Sequence, residues 1–305
     1  MRKRELVRYR ASIYDNYHWR DFVFRPGDIV ISTPPKCGTT WMQMICAMLI
    51  FQEPVLTQPL SVHSPFLDTL TRSRRDVLAD LEAQKHRRFI KTHTPLDGLP
   101  LEESVTYICV GRDPRDAALS LENHWENFDL ASFMTTRDTT AAIDGATAEP
   151  TDIPALPDNA RERFWCWADY DRPGLASLRG MLHHLQTFWD AADGVDAVLL
   201  HYDDLLTDLE GQMRGLADRL GITVSDRRWP ALVNAASFDE MRAQAALTAP
   251  DAHDGVWRDN QRFFNHGTSG QWRDLLDDDD LERYRARTNA IGSADVVDWV
   301  HRGAL

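Results

Sequence analysis

Residues 28–51 read DIVISTPPKCGTTWMQMICAMLIF, and this stretch decides the fold class. Residues 28–32 form a short β-branched run after Pro26 and Gly27, which predicts a buried strand. Residues 39–51 are strongly apolar and predict a helix. The loop between them contains two prolines and a glycine. A strand, a tight loop and a helix in this order are typical of a phosphate-binding βα unit.

The rest of the chain continues the alternation of strands and helices. Further strands are predicted at residues 88–93, 105–110 and 195–202, and further helices from Asp113, at 173–192 and at 205–220. Asp113 is the expected N-cap of its helix, because proline follows at the first helical position. This alternation predicts an α/β fold, a P-loop-NTPase-like parallel sheet flanked by helices. We expect a single domain over residues 1–305.

One stretch lacks any period. Residues 135–159 are rich in Thr, Ala, Asp and Pro, which favours a mobile surface loop. The alternative is an active-site lid that orders when a ligand binds. We therefore expect a mobile, lid-like insertion over residues 127–160 within the domain.

Composition and charge exclude several classes of protein. The chain of 305 residues is 43% hydrophobic and 27% charged, an ordinary globular balance. A net charge of −13 argues against a protein that grips nucleic acid. The four cysteines form no Cys-x-x-Cys pair, and no apolar run approaches the ~20 residues of a transmembrane helix. We expect a soluble, cytoplasmic protein without a transmembrane segment.

The loop at residues 33–41 contains the groups that an anion-binding site needs. Gly38 lets the backbone approach a ligand, and the N–H groups of the following helix carry partial positive charge. Lys36 adds a full charge, and Thr39 and Thr40 add hydroxyl donors. Trp41 could stack on a nucleobase or simply pack. The pattern is not a Walker A motif, because the lysine precedes the glycine.

A second turn from strand to helix lies at residues 110–120. Arg112 stands at the end of the strand, and Ser120 lies two helical turns further on. Both could contact an anion at the same edge of the sheet. The alternative is that Arg112 only pairs with Asp113 or Asp116 on the surface.

Taken together, these motifs resemble the PAPS-dependent sulfotransferase family of the cytosolic type. The sequence looks most similar to actinobacterial members of that family that act on glycolipids or metabolites. The family's 5'-phosphosulfate loop matches residues 35–41, and its Lys-Thr-His strand end matches residues 91–93. The remaining matches are Arg112 with Ser120, Tyr202 before two aspartates, Ser237 with Phe238 and Met241, and the segment 263–272. They occur in family order and span residues 28–272.

The resemblance implies transfer of a sulfuryl group from 3'-phosphoadenosine-5'-phosphosulfate (PAPS) to an acceptor hydroxyl, leaving PAP. It implies that His93 is the general base, that Lys36 stabilises the leaving phosphate and that Lys91 assists. The resemblance implies no metal. The acidic pair at residues 203–204 is expected to be a turn at a strand end, and the acidic run at residues 277–280 is expected to begin a helix. The implied donor-binding residues are Lys36, Cys37, Gly38, Thr39, Thr40, Trp41, Arg112, Ser120, Tyr202, Ser237, Phe238, Met241, Phe264, Asn265, His266 and Gly267.

Two positions depart from the family pattern. An Arg-Lys pair that clamps the 3'-phosphate is replaced by Asn265 and His266. Arg262 is a candidate substitute, and His266 could contribute when protonated. Cys37 replaces a serine. Its thiol is either a reactive group with a lowered pKa beside Lys36 or an isosteric replacement without special chemistry.

The acceptor is left open by the sequence. Trp19, Phe22, His63 and Phe66 lie where family members build acceptor pockets, which would suit a small-molecule, phenolic or glycolipid hydroxyl. A homodimer is also left open. Two rival functions remain: a PAPS-binding relative with degraded activity, motivated by Asn265 and His266, and a nucleotide or metabolite kinase.

Overall fold

The computed structural model describes residues 5–144, 157–171, 176–191, 195–252 and 255–303. Its centre is a parallel sheet of four strands in the order β2-β1-β3-β4. The strands are β1 (Ile29–Ser32), β2 (Phe89–Thr92), β3 (Thr106–Gly111) and β4 (Ala197–His201). Each lies within a strand predicted from the sequence or one residue beyond it. The predicted α/β fold with a parallel sheet flanked by helices in a single domain is therefore confirmed.

Successive residues of the strands face two hydrophobic cores on opposite sides of the sheet. Val30, Ile90 and Cys109 belong to one core, which the helices near the carboxyl terminus cover. Ile31 and Ile108 belong to the other. Because helices cover both faces, the strands are almost continuously apolar rather than alternating.

The helices pack on both faces of this sheet. They are α1 (Thr39–Phe51), α2 (Leu60–His63), α3 (Arg74–Ala83), α4 (Pro114–Asn127), α5 (Leu130–Ile143), α6 (Ala160–Ala168), α7 (Leu178–Trp189), α8 (Tyr202–Thr207), α9 (Leu209–Arg219), α10 (Trp229–Ala235), α11 (Phe238–Ala243), α12 (Ala245–Thr248), α13 (Asp278–Ile291) and α14 (Ala294–His301). Helix α1 has the predicted bounds. Most of its residues are buried, since it lies between the sheet and helices α9 and α10.

Local capping explains several boundaries. The Asp113 carboxylate accepts a hydrogen bond from the Arg115 N–H at the start of α4, which confirms the predicted N-cap. Asp277 caps α13 with Asp280 in a capping box, so the acidic run at 277–280 does begin a helix. The predicted helix at 205–220 is wrong in one respect. It breaks at Asp208, whose side chain caps a separate helix α9.

The prediction of a loop from residue 135 is also wrong for residues 135–143, which are helical. Helix α5 runs through them, because Asp129 caps its start and Phe133 packs against Phe128 and Val256. Residues 145–156 lie outside the described residues, and a lid role for 127–160 stays a prediction. The helix expected at 173–192 is described as Leu178–Trp189.

Within the described ranges, no helix is long and apolar enough to cross a membrane. The cytoplasmic location and the homodimer stay predictions.

Candidate active site

The segments that follow the four parallel strands meet around one cavity of about 230 Å³. This placement follows from the topology, because all four carboxyl ends lie at the same edge of the sheet. The predicted site residues that line the cavity are Lys36, Gly38, Thr39, Thr40, Trp41, Lys91, His93, Arg112, Ser120, Tyr202, Phe238, Met241, Phe264, Asn265, His266 and Gly267.

The loop after β1 has the geometry expected of an anion cradle. Helix α1 begins directly after Gly38, whose φ of 93° lies in the left-handed region. A Cβ at Gly38 would come within 3.1 Å of the Tyr202 ring, so a larger residue would crowd the site. The free N–H groups of the first turn of α1 therefore stand beside the cavity.

Lys36 lies between two aromatic side chains in this cavity. Its ammonium is 3.3 Å from Nδ1 of His124 and 4.8 Å from the ring centroid of Phe263. Burial, with the nearby charges of Arg112 and Lys91, lowers the pKa of Lys36 to about 7. Lys36 is thus a cation whose charge an incoming anion would stabilise.

His124 is a site residue that the sequence argument missed. Burial holds its pKa well below the usual value, so its ring is neutral and Nδ1 accepts from the Lys36 ammonium. A signal existed, because His124 follows Ser120 by four positions and therefore lies on the same face of α4.

Arg112 is buried rather than on the surface. Its two Nη atoms donate to the carbonyl oxygens of Lys36, at 3.1 Å, and Thr268, at 3.0 Å. Its guanidinium carbon lies 4.2 Å from the centroid of the Tyr202 ring. Nε is buried and has no hydrogen-bond partner among the described residues. A buried unpaired donor beside a cavity suits an anionic ligand.

The alternative pairing of Arg112 with surface aspartates is wrong. Asp113 is held by the Arg115 guanidinium at 2.7 Å. The carboxylate of Asp116 instead accepts the backbone N–H groups of Gly270, at 2.7 Å, and Gln271, at 3.0 Å. These two bonds hold the backbone at residues 270 and 271 against α4.

His93 has a defined tautomer. Its Nδ1 lies 2.9 Å from the carbonyl oxygen of Thr33, and a carbonyl can only accept, so Nδ1 carries the proton. Nε2 is then left with its lone pair. Burial, with the charge of Lys91, lowers the pKa of His93 to about 3 and keeps the ring neutral. His93 can therefore accept a proton at Nε2.

A buried carboxyl group that the sequence argument missed anchors the strand end at His93. Asp68 Oδ2 accepts from the hydroxyls of Thr92 and Thr94, each at 2.7 Å. These two threonines flank His93 in the chain. Burial raises the pKa of Asp68 to about 6. Nothing in the sequence around Asp68 signals this role, since the contact joins a loop to the strand end.

Three cations, Lys36, Lys91 and Arg112, line the cavity. Lys91 Nζ lies 4.6 Å from the centroid of the Phe66 ring, and burial lowers its pKa. None of the three forms a salt bridge with a carboxylate within the part of the chain that the structure describes. This donor set fits a phosphorylated nucleotide, which would supply the missing negative charge.

Aromatic side chains surround the cations. Trp41 donates Nε1–H to the Ala236 carbonyl at 2.8 Å and meets Tyr202 edge-on, so it packs rather than lying free. Gly267 has a φ of 64°, and a side chain there would run into the ring of Phe238. The backbone at 267 can approach the cavity only as glycine.

One part of the cavity is an apolar chamber. It is formed by Ile13, Phe128, Phe133, Val256 and Trp257. Sequence reasoning missed these residues because they come from three separated segments without common spacing. The chamber is suited to the apolar part of an organic acceptor.

Several predicted site residues are placed elsewhere. Cys37 does not line the cavity, and burial raises the pKa of its thiol to about 12, so the reactive-thiol alternative is wrong. Ser237 caps α11 by accepting from the Glu240 N–H and does not line the cavity either. Arg262 is paired with Glu126 at 2.9 Å on the surface, away from the cavity lining.

The predicted acceptor residues are corrected in the same way. Trp19 and Phe22 pack against each other and Phe24 in the core. His63 packs against Phe51. Only Phe66 of the four predicted residues lines the cavity. In the described residues, no group of three or more His, Cys, Asp or Glu side chains is arranged to hold a metal ion.

Comparison with known proteins gives one consistent family. The family model described as sulfotransferase domain matches residues 26–291. A glycolipid sulfotransferase of Mycobacterium bovis (strain BCG / Pasteur 1173P2) is 38% identical over 309 residues, with 97% of this chain and 94% of the relative covered. Sulfotransferase 1A1 of Canis lupus familiaris is 26% identical, with 92% and 88% covered.

Solved structures share the fold at low sequence identity. Retinol dehydratase in complex with androsterone and the inactive cofactor PAP aligns with a TM-score of 0.67 at 19% identity, covering 91% of this chain and 85% of the other. Mouse sulfotransferase SULT7A1 complexed with PAP aligns with a TM-score of 0.65 at 17% identity, covering 94% and 93%.

Proposed function

The chain belongs to the sulfotransferase family, and from this premise we propose that it transfers the sulfuryl group of PAPS to a hydroxyl of a glycolipid or other small molecule. The observation that carries the proposal is one cavity lined by a neutral His93 and by the cations Lys36, Lys91 and Arg112. A nucleotide kinase is contradicted by the family match.

The protein binds the donor nucleotide through its 5'-phosphosulfate and through its 3'-phosphate. The first N–H groups of α1 and the Lys36 ammonium bind the 5'-phosphosulfate, since both lie at the loop after β1. Arg112 and Ser120 bind the 3'-phosphate, and the unpaired Nε of Arg112 is a donor for it. The adenine lies among the aromatic and apolar side chains of Phe238, Met241 and Phe264. Both fold relatives named above were solved with PAP, which agrees with this choice of nucleotide.

Transfer is an in-line displacement at sulfur. The acceptor oxygen forms a bond to sulfur as the bond from sulfur to the 5'-phosphate oxygen breaks, and PAP leaves. The acceptor proton passes to Nε2 of His93, which the Thr33 carbonyl keeps as the acceptor nitrogen. Lys36 stabilises the charge that develops on the leaving phosphate, and Lys91 assists.

The acceptor combines a hydroxyl with an apolar part. The chamber of Phe128, Phe133 and Trp257 extends from the cations and takes that apolar part. The glycolipid sulfotransferase of Mycobacterium bovis is similar over nearly the whole chain, which supports a glycolipid. A phenolic acceptor fits the same chamber. The rival of a PAPS-binding relative with degraded activity rests on Asn265 and His266, and only donor binding and turnover distinguish it.

Calorimetric titration with adenosine 3',5'-bisphosphate tests the donor site, with AMP and ATP as controls. We expect binding that depends on the 3'-phosphate, followed by transfer of labelled sulfate from PAPS to hydroxyl acceptors. A preference for ATP would contradict the proposal. Donor binding without transfer to any acceptor would favour the degraded relative.

A further inference from the structure

A second cavity of about 220 Å³ lies beside the active-site cavity. We call it the side cavity. It is lined by Gln43 of α1, by residues 59–62 and Ser64 around α2, and by Arg72 and Asp80 at the outer side. The two cavities share a wall that includes Thr40, Phe66, Thr69 and Lys91. The two cavities are therefore adjacent.

Two buried polar side chains of the side cavity retain unused hydrogen-bonding groups. Gln43 is 3% exposed, and its Nε2 donates to the Ser64 carbonyl at 3.0 Å. Its Oε1 forms no hydrogen bond within the described residues. Ser64 is 1% exposed, and its hydroxyl has no partner there either. The Ser64 hydroxyl is itself buried, and an unpaired buried hydroxyl is costly, so it favours a ligand that can donate to it or accept from it, while the Gln43 Oε1 can accept from the same ligand.

The charges of the side cavity are balanced, in contrast to those of the main cavity. Arg72 and Lys91 face Asp80 and Asp251, and Arg72 Nη2 lies 2.6 Å from the Asp80 carboxylate. A site with matched charges has no preference for an anion or a cation. It favours a neutral group rich in hydroxyls, since each hydroxyl is both a donor and an acceptor.

The shared wall determines how far the side cavity lies from His93. The ring centroids of Phe66 and His93 are 5.4 Å apart, and the Lys91 ammonium lies over the Phe66 ring at 4.6 Å from its centroid. A sugar ring in the side cavity can pack on Phe66 and direct a hydroxyl towards Nε2 of His93. The apolar remainder of the acceptor then extends into the chamber of Phe128 and Trp257.

We propose that the side cavity is the subsite for a monosaccharide unit of the acceptor, and that the hydroxyl to be sulfated belongs to this unit. The inference rests on the proposed sulfuryl transfer and adds the part of the acceptor that is recognised. It distinguishes a glycoside from an alcohol with the same alkyl chain.

Octyl β-D-glucopyranoside and 1-octanol are the probes, and their dissociation constants are measured on the full chain with saturating PAP. We expect the glucoside to bind about tenfold more tightly than the alcohol, about the contribution of one or two hydrogen bonds. Ser64→Val and Gln43→Leu should remove this difference without changing the affinity for PAP. Ser225→Val is the matched control, because Ser225 is exposed and lines neither cavity.

Arg72→Leu covers the case in which a buried substitution prevents folding, since Arg72 lies at the outer edge and is partly exposed. It should also weaken glucoside binding selectively. Equal affinities for the two probes in the unmodified chain would overturn the inference, as would equal losses for both probes in the variants. The dissociation constants of the two probes are measured without turnover, so these outcomes are separate from failure of the proposed function. Failure of the proposed function would show instead as absence of PAP binding or of sulfuryl transfer.

Discussion

The Nδ1–H group of His93 donates a hydrogen bond to the carbonyl oxygen of Thr33 at 2.9 Å. Thr33 opens the loop that carries Lys36, so this single bond links the proposed base to the proposed donor cradle. It also fixes Nε2 as the nitrogen that can take a proton. The orientation of the base is therefore set by the backbone of the anion-binding loop.

Replacing His93 separates proton transfer from donor binding. His93→Ala should lower the transfer rate by about 10²-fold or more, the usual contribution of a general base. The affinity for PAP should stay nearly unchanged, because the cations and loop N–H groups remain. Single-turnover rates and calorimetric titration with PAP measure the two effects. A near-normal rate would remove His93 from the mechanism.

Asp68 should act as a positioning residue for His93. In Asp68→Ala the Thr92 and Thr94 hydroxyls lose their acceptor, and a shift of the strand end should lower kcat by roughly ten- to a hundredfold. Asp68→Asn keeps an acceptor oxygen and should restore most of kcat. The readout is kcat at saturating substrates together with the affinity for PAP, which neither variant should change. Equal losses in both variants would point to a charge effect instead of positioning.

Much of this site could be predicted because phosphate-binding turns depend on local sequence. Residues 33–41 fix the turn, the start of α1 and the position of Lys36 without help from distant segments. The same holds for Asp113 and the start of α4. In both places the side chains and backbone groups that determine the structure lie within a few residues of each other.

The parts that could not be predicted depend on contacts between distant segments. Helix α5 lacks a clear apolar period and is held by Phe133 packing against Val256, more than a hundred residues away. Arg262 lies near Asn265 in the sequence, but in the fold its guanidinium pairs with Glu126 from α4. Asp68 reaches the strand end only through the fold. Propensity and spacing contain no information on such contacts.

The affinity for PAP should fall as pH rises above 7, because Lys36, with a pKa of about 7, loses its charge in the free protein. Bound phosphate raises that pKa, so binding above pH 7 takes up a proton. The titratable groups near Lys36 are Cys37, Lys91, His93, Arg112 and His124. Calorimetry in buffers of different ionisation enthalpy measures the uptake. Lys36→Arg stays charged and should bind without it. Equal uptake in this variant would assign the proton to another group.

Restoring the two missing cations tests how the 3'-phosphate is held. Asn265 and His266 both line the cavity, and Asn265→Arg combined with His266→Lys adds charge at its rim. Each charge-assisted hydrogen bond contributes ~1.5–3 kcal/mol, so the dissociation constant of PAP should fall by about tenfold or more. AMP lacks the 3'-phosphate, and its affinity should stay the same, which makes it the control ligand. If PAP and AMP respond alike, the new cations act on the 5'-phosphate or on the overall potential. An unchanged affinity for PAP would mean that Arg112 already neutralises the 3'-phosphate in this chain.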